Sequence, residues 1–359
     1  MAKHVVFVIH GMCDFKNEKE WAATYKELLP GLYKKYAAAK YLPFDQQFEL
    51  KPLFYNDCFD DLRDKWAKAA AEVLPLMKPG QLGGNALVQM TKWAAAANKK
   101  QFLLTHALDV VFYRFFPNVA AQVRARIHRQ MLDGIKGADR WSVIAHSLGT
   151  SVIHDTLVWM FDPGAPKGRL PSGGFRMEAL AMIANVSRVL ESSGYIDKDG
   201  NSLDSTWDVY RSVVRPSADP DAGVCSSFLN AWHAWDPIPI PKQFKAAPDW
   251  PDRKTRDKKG SFLDIPIDGI EDIRSVSDVH DLGHYLRNPD VHIPLFNALI
   301  PIVGGIISEE EERDARREYR ADNPLSRAKK KIEELKSFRL SDEEGDWQKI
   351  LGMIHEFLK

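Results

Sequence analysis

A chain of 359 residues, 45% hydrophobic and 27% charged, carries ample apolar material for a core, which excludes a disordered or fibrous protein. Its 49 Lys and Arg balance 49 Asp and Glu, so the electrostatic footprint of a nucleic-acid binder is missing. Three cysteines, Cys13, Cys58 and Cys225, are too few and too scattered for a disulfide framework or a thiolate zinc site, and a reducing, cytoplasmic setting is expected.

In chain order, the apolar run 5–9 is too short for a signal-peptide core, and no small-residue cleavage site follows it. It reads as a strand, as do 49–54, 141–145, 179–185, 227–234 and part of 262–273. These short runs alternate with longer amphipathic ones, which predicts an α/β protein: a doubly wound, mostly parallel sheet covered by helices on both faces. The continuous apolar character of 5–9 fits a strand buried on both sides.

Between the second and third strands lie about 85 residues, far more than a crossover needs. They read as helices over 60–77, 85–116 and 118–135, punctuated by Pro79-Gly80, Gly83-Gly84 and Pro117. The last suffices to return to the sheet, so 56–117 is expected to be an inserted helical cap. Its segments 94–97 and 102–116 are unusually apolar. They suit an acyl pocket or a surface for peripheral contact with lipid, although packing on the core is the plainer reading. His106, Asp109 and Arg114 interrupt 102–116, and Pro301 breaks 294–307, so neither reaches the roughly 18–20 apolar residues of a membrane span.

Further on, Asp197-Lys198-Asp199-Gly200-Asn201 lacks the spacing and closing Glu of a calcium loop and reads as a tight turn. The segment 246–260, with Pro248, Pro251, Arg253, Lys254, Arg256, Lys258 and Lys259, reads as a solvated surface loop. From 308 the composition turns to mixed charge. Glu309/Arg313 and Glu312/Arg316 support an exposed helix. Trp347, Ile350, Leu351, Ile354, Phe357 and Leu358 share a helical face that should dock on the body or on a partner, a route to an oligomer. The expected organisation is one domain over 1–307 and a charged helical extension over 308–359.

The sharpest chemical signal is Val143-Ile144-Ala145-His146-Ser147-Leu148-Gly149-Thr150. An apolar strand runs into a Ser with small residues two positions away on each side, and a helical pattern (Val152, Ile153, Leu157, Met160) follows. Such a junction strains the Ser backbone and exposes its Oγ at a helix N-terminus, the arrangement of a nucleophile elbow. At the end of the first strand, His10-Gly11-Met12 lets the backbone pass close to a ligand. The amides of Met12 and Leu148 would then form an oxyanion hole.

These two motifs resemble the α/β-hydrolase superfamily, and within it the lipase- and esterase-like branch. The resemblance covers roughly residues 4–300 in strand order and implies that the family's first two strands are missing here. It also implies an acid and then a His after Ser147 in the chain. Asp236, in Trp235-Asp236-Pro237-Ile238-Pro239, ends a strand-like run and is the candidate acid, an Asx-type turn being the alternative. Among the later histidines, His355 lies in the tail and His292 one helix too far on. The contest is between His280 and His284, with Asp281 a plausible N-cap and Tyr285-Leu286 following, and His280 is preferred.

His146 and His10 read as supporting residues, with Gly11, and Cys13 as a small hydrophobe. No metal-ligand or phosphate-cradle spacing occurs, so no cofactor is expected. The expectation is serine-dependent hydrolysis of a small-molecule carboxylic ester with an apolar acyl group. The alternatives are a thioesterase, amidase or acyltransferase on the same triad, or a non-catalytic scaffold of the same fold.

Overall fold

Val5, Phe7 and Ile9 alternate with Val6 and Val8 along the first strand, and all five are buried. Successive side chains in a strand point to opposite faces, so such a strand needs a core on each side. The computed structural model supplies both. It describes residues 4–11, 15, 17–59, 113, 117–161, 177–188, 195–196, 202–203, 212–219, 222–236, 238–239, 243–250, 261–268, 279–300, 302 and 305–321.

The strands in chain order are β1 (His4–Ile9), β2 (Phe48–Leu53), β3 (Arg140–His146), β4 (Met177–Ile183), β5 (Tyr195–Ile196), β6 (Ser202–Leu203), β7 (Cys225–His233) and β8 (Ser261–Ile267). Six of them form one open sheet in the order β2-β1-β3-β4-β7-β8, every pair parallel. The short β5 and β6 pair antiparallel by themselves, on either side of the stretch read as a tight turn, whose own residues 197–201 lie outside the described ones. The predicted strands are all present, shifted by a few residues at their ends.

The helices are α1 (Glu18–Lys26), α2 (Leu28–Tyr33), α3 (Phe44–Gln47), α4 (Pro117–Gly134), α5 (Leu148–Phe161), α6 (Leu282–Arg287), α7 (Pro289–Leu299) and α8 (Glu309–Ala321). Val123, Ile127 and Met131 of α4 and Val152 and Leu157 of α5 pack on the face that carries Val5, Phe7, Ile9 and Val143. Trp21 and Tyr25 of α1, Leu29 and Tyr33 of α2, Tyr285 of α6 and Phe296 of α7 pack on the opposite face with Val6, Val8 and Ile144. From β1 the chain winds outward to β2 and then returns to the other side of β1 to enter β3. The chain thus leaves β1 and β3 toward opposite sides of the sheet, a switch point at whose carboxyl ends such sheets usually place a ligand.

Of the stretch 56–117, read as a cap, only 56–59, 113 and 117 are described, with Phe59 and Tyr113 buried in the α4 and α5 core. In α8 the predicted Glu312–Arg316 pair forms at 2.8 Å. That helix is also docked, because Arg316 Nε donates to Asp290 at 2.6 Å and Ala315 packs on the core. The apolar face at 347–358 lies outside the described residues. Among the described residues, no helix is long and apolar enough to cross a membrane.

The solvated-loop reading of 246–260 needs correction at its start. Trp250 is buried, 5.2 Å from Phe228 of β7 and 5.5 Å from Phe262 of β8 between ring centroids, and Phe244 stacks on Phe228 at 5.4 Å. The charges of 251–260, themselves outside the described residues, dominate the composition of that window and mask its aromatic end. Trp250→Ala should destabilise the protein by about 3–5 kcal/mol, read from urea unfolding, where a solvated loop would give almost none.

Buried histidines, His4 and His292 among them, tie stability to pH. Burial, and then the charge of Arg140, lowers His4 to about 4. Burial likewise lowers His292 to about 4, where its Nδ1–H donates to the Leu286 carbonyl at 2.8 Å and its Nε2 accepts from the Tyr36 hydroxyl at 2.5 Å. In the unfolded chain both take up a proton near pH 6.5, so the unfolded state binds more protons between about pH 6.5 and 4. Unfolding midpoints in urea should therefore fall steadily as pH drops through that window. His292→Gln should flatten the dependence.

Candidate active site

Ser147 joins β3 to α5 with φ of 52°, in the left-handed region that a non-glycine residue enters only under constraint. Its amide donates to the Ile183 carbonyl at 3.0 Å. Its carbonyl accepts from the Thr150 amide at 2.9 Å and the Thr150 hydroxyl at 2.6 Å. The Thr150 hydroxyl in turn accepts from the Val186 amide at 3.0 Å. Both sides of the Ser147 peptide are thus tied to the end of β4, where Ala184 is, among the described residues, the other non-glycine residue with positive φ, at 48°.

The small residues of the motif have definite neighbours. A Cβ on Gly149 would lie 2.3 Å from the His10 carbonyl oxygen, and one on Gly11 would lie 2.4 Å from Ser147 Cβ. No real side chain fits at such distances without moving backbone. The ends of β1 and β3 consequently approach as closely as two glycines permit, which brings the His10-Gly11 turn against the serine.

The Ser147 hydroxyl donates to His280 Nε2 at 2.7 Å, and His280 Nδ1–H donates to Asp236 Oδ2, also at 2.7 Å. Asp236 follows β7 and is fully buried. Its Oδ2 also accepts from the Tyr285 hydroxyl at 2.8 Å and its Oδ1 from the Ile238 amide at 3.1 Å. Burial by itself would raise this carboxyl. The hydrogen bond and charge of His280, with the donors from Ile238 and Tyr285, outweigh burial and hold it below the usual carboxylate range. His280 lies just before Asp281, whose carboxylate caps α6 by accepting from the His284 amide at 3.0 Å. His284 sits inside that helix with its ring 5.8 Å from that of His233, and the bond to Ser147 comes from His280.

His146 Nε2–H donates to the His280 backbone carbonyl at 2.7 Å, with the two rings 5.0 Å apart. Burial first, then the neighbouring His280 charge, lowers His146 to about 3, so it serves as a neutral donor. His10 donates from Nδ1 to the Gly11 carbonyl at 2.6 Å and accepts at Nε2 from the Tyr55 amide at 3.3 Å. Its ring stacks on Tyr55 at 4.2 Å, and the Tyr55 hydroxyl donates to the His10 carbonyl at 3.0 Å. Leu148 opens α5, so its amide is among the first-turn N–H groups that have no intrahelical acceptor. Met12, Cys13 and His355 lie outside the described residues. Among the described residues, no His, Cys, Asp or Glu group is arranged to hold a metal ion.

Tyr285, Tyr55 and Thr150 take part in the site's hydrogen bonds without having been assigned a role from the sequence. Tyr285 is five positions after His280 and Thr150 three after Ser147. Adjacency to the motifs was the available signal, but it does not tell which way a side chain points. Chemically, the arrangement can remove the Ser147 proton as Oγ attacks an electrophile, hold the resulting imidazolium against a carboxylate, and return the proton.

Gly149→Ala tests the close approach of β1 and β3. Its Cβ should push the His10 carbonyl away, lowering the midpoint of thermal unfolding by several degrees, consistent with an overpacking cost of about 1–3 kcal/mol. Reactivity of Ser147 toward an electrophilic probe should be lost in the fraction that still folds.

Scans against protein-family models, curated proteins and solved structures find no match to this chain.

Proposed function

We propose that this protein is a serine hydrolase of the α/β-hydrolase kind that cleaves a carboxylic ester through an acyl-enzyme. One observation carries the reading: Ser147, His280 and Asp236 are joined by two hydrogen bonds of 2.7 Å in the order nucleophile, base, acid. These residues lie far apart in the chain. The strained φ of Ser147 and its seat at the carboxyl ends of adjoining parallel strands support the same reading. So does the open, all-parallel sheet, in which β1 and β3 lie side by side. In this reading residues 1–307 make up the catalytic domain, 56–117 its cap and 308–359 an extension.

In the reaction Ser147 Oγ attacks the acyl carbon while its proton passes to His280 Nε2. The carbonyl oxygen becomes an oxyanion, received by the Leu148 amide and, in this reading, by the Met12 amide. Asp236, ionised and buried, holds His280 in the tautomer that presents Nε2 to the serine and stabilises the imidazolium. His280 then protonates the departing alkoxide. Water, deprotonated by the same imidazole, attacks the acyl carbon; the acyl–Oγ bond then breaks, His280 returns the proton to Ser147 Oγ, and the carboxylic acid leaves. The apolar composition of 94–97 and 102–116 favours an apolar acyl group and contact with lipid.

A fluorophosphonate probe traps only an activated serine. Wild type should be labelled and Ser147→Ala should not. His280→Ala should slow labelling by roughly 10³-fold or more, and His284→Ala should leave it nearly unchanged. Hydrolysis of p-nitrophenyl esters should then exceed that of matched thioesters and amides, and the reverse order would move the assignment to another leaving group. A well-folded wild type that takes no label sinks the proposal.

A further inference from the structure

Asp236 has a partner that the reaction scheme above does not use. The Tyr285 hydroxyl accepts from the His233 amide at 3.0 Å and donates to Asp236 Oδ2 at 2.8 Å. That oxygen is the one that receives His280 Nδ1–H. Resting on the serine-hydrolase reading, we propose that Tyr285 is a positioning residue: its hydroxyl clamps the acid of the site to the end of β7 and turns Oδ2 toward His280.

The geometry gives the hydroxyl this role in three ways. It is held at both ends, since the backbone amide it accepts from belongs to the last residue of β7, three positions before the acid. A phenolic hydroxyl has one proton to give, and with the His233 amide donating to its oxygen that proton is directed at Oδ2. With Ile238 on Oδ1, the carboxylate cannot rotate without breaking a bond at each oxygen. Finally, Tyr285 lies on α6, which begins just after His280 and is capped by Asp281. A single short segment therefore carries the base and the clamp on its acid, so the spacing between the two is set locally.

A neutral donor on an ionised carboxylate lowers that carboxylate's proton affinity. Removing it makes Asp236 more basic and raises the proton affinity of the Asp236–His280 pair as a unit, so the unprotonated base is lost at a higher pH. The titratable groups that face this pair are His146 from the end of β3, His233 from the end of β7 and His284 from α6, with His10 behind His146. Asp281 and Arg287 are exposed at the two ends of α6. All of these remain when only the Tyr285 oxygen is removed, so the difference between two pH profiles isolates the hydroxyl.

The test is the pH dependence of the rate constant for fluorophosphonate labelling in wild type and Tyr285→Phe, which keeps the buried ring. A rate constant is independent of how much of the variant folds. The acid limb should move to higher pH by roughly half to one pH unit, with the plateau lowered about threefold to tenfold. Replacement of Tyr285 by 3-fluorotyrosine, a stronger donor of nearly the same shape, should move the limb to lower pH and covers the case in which Tyr285→Phe does not fold. Limbs that coincide with wild type while the plateau falls would reduce Tyr285 to core packing and overturn the proposal, leaving the hydrolase reading intact. A wild type that takes no label, with Ser147→Ala as its control, would overturn both.

Discussion

Everything at the candidate site depends on a close approach of backbone at the carboxyl ends of β1 and β3. Ser147 can occupy a left-handed conformation only because its peptide is bonded on both sides and because two glycines leave room for the neighbouring turn. A strain of order 1–3 kcal/mol persists where the surroundings overdetermine it, and here they do. The Ile183 carbonyl, the Thr150 hydroxyl and the Val186 amide form a continuous chain of bonds from the serine to the end of β4. The two-sided core explains why that frame is rigid, since β1 and β3 are buried on both faces and have no face free to relax.

A second constraint is electrostatic. A carboxylate as buried as that of Asp236 is tolerable only when it is fully hydrogen-bonded, and the fold supplies donors from three places: the loop after it, the segment before α6, and α6 itself. The histidines around it are treated differently. His146 is driven to neutrality by burial, then by the His280 charge, and reduced to a donor that braces the His280 backbone. Environment thus separates groups of the same chemical type: His280 joins Ser147 to Asp236 through its two ring nitrogens, and His146 braces its backbone.

Much of the architecture was legible because short apolar runs with period-two or continuous patterning are a local property. The strands, the helix after Ser147 and the Asp281 cap could all be read from windows of a few residues. Trp250 could not be, because the charges that follow it dominate any window average while its burial depends on Phe228 and Phe262 in the last two strands of the sheet. The docking of α8 escaped for a similar reason. Its i,i+4 pairs are visible in sequence, but the reach of Arg316 to Asp290 crosses between helices.

The sequence by itself determined the strand-to-helix junction at Ser147, since Ala145, Gly149 and the change in periodicity sit within eight residues, and it nominated Asp236 as a candidate acid because that residue ends a strand. It left His280 and His284 as rivals, four residues apart. Tertiary structure decided which of them meets the serine, across 133 positions of chain, and which oxygen of Asp236 receives its proton, across 44. The physical reason is that α6 begins between the two candidates: Asp281 caps it, His280 stays on the loop facing Ser147, and His284 turns inward toward His233. Where a helix starts is a local matter, but which way its first turn faces is settled by the sheet on which it packs.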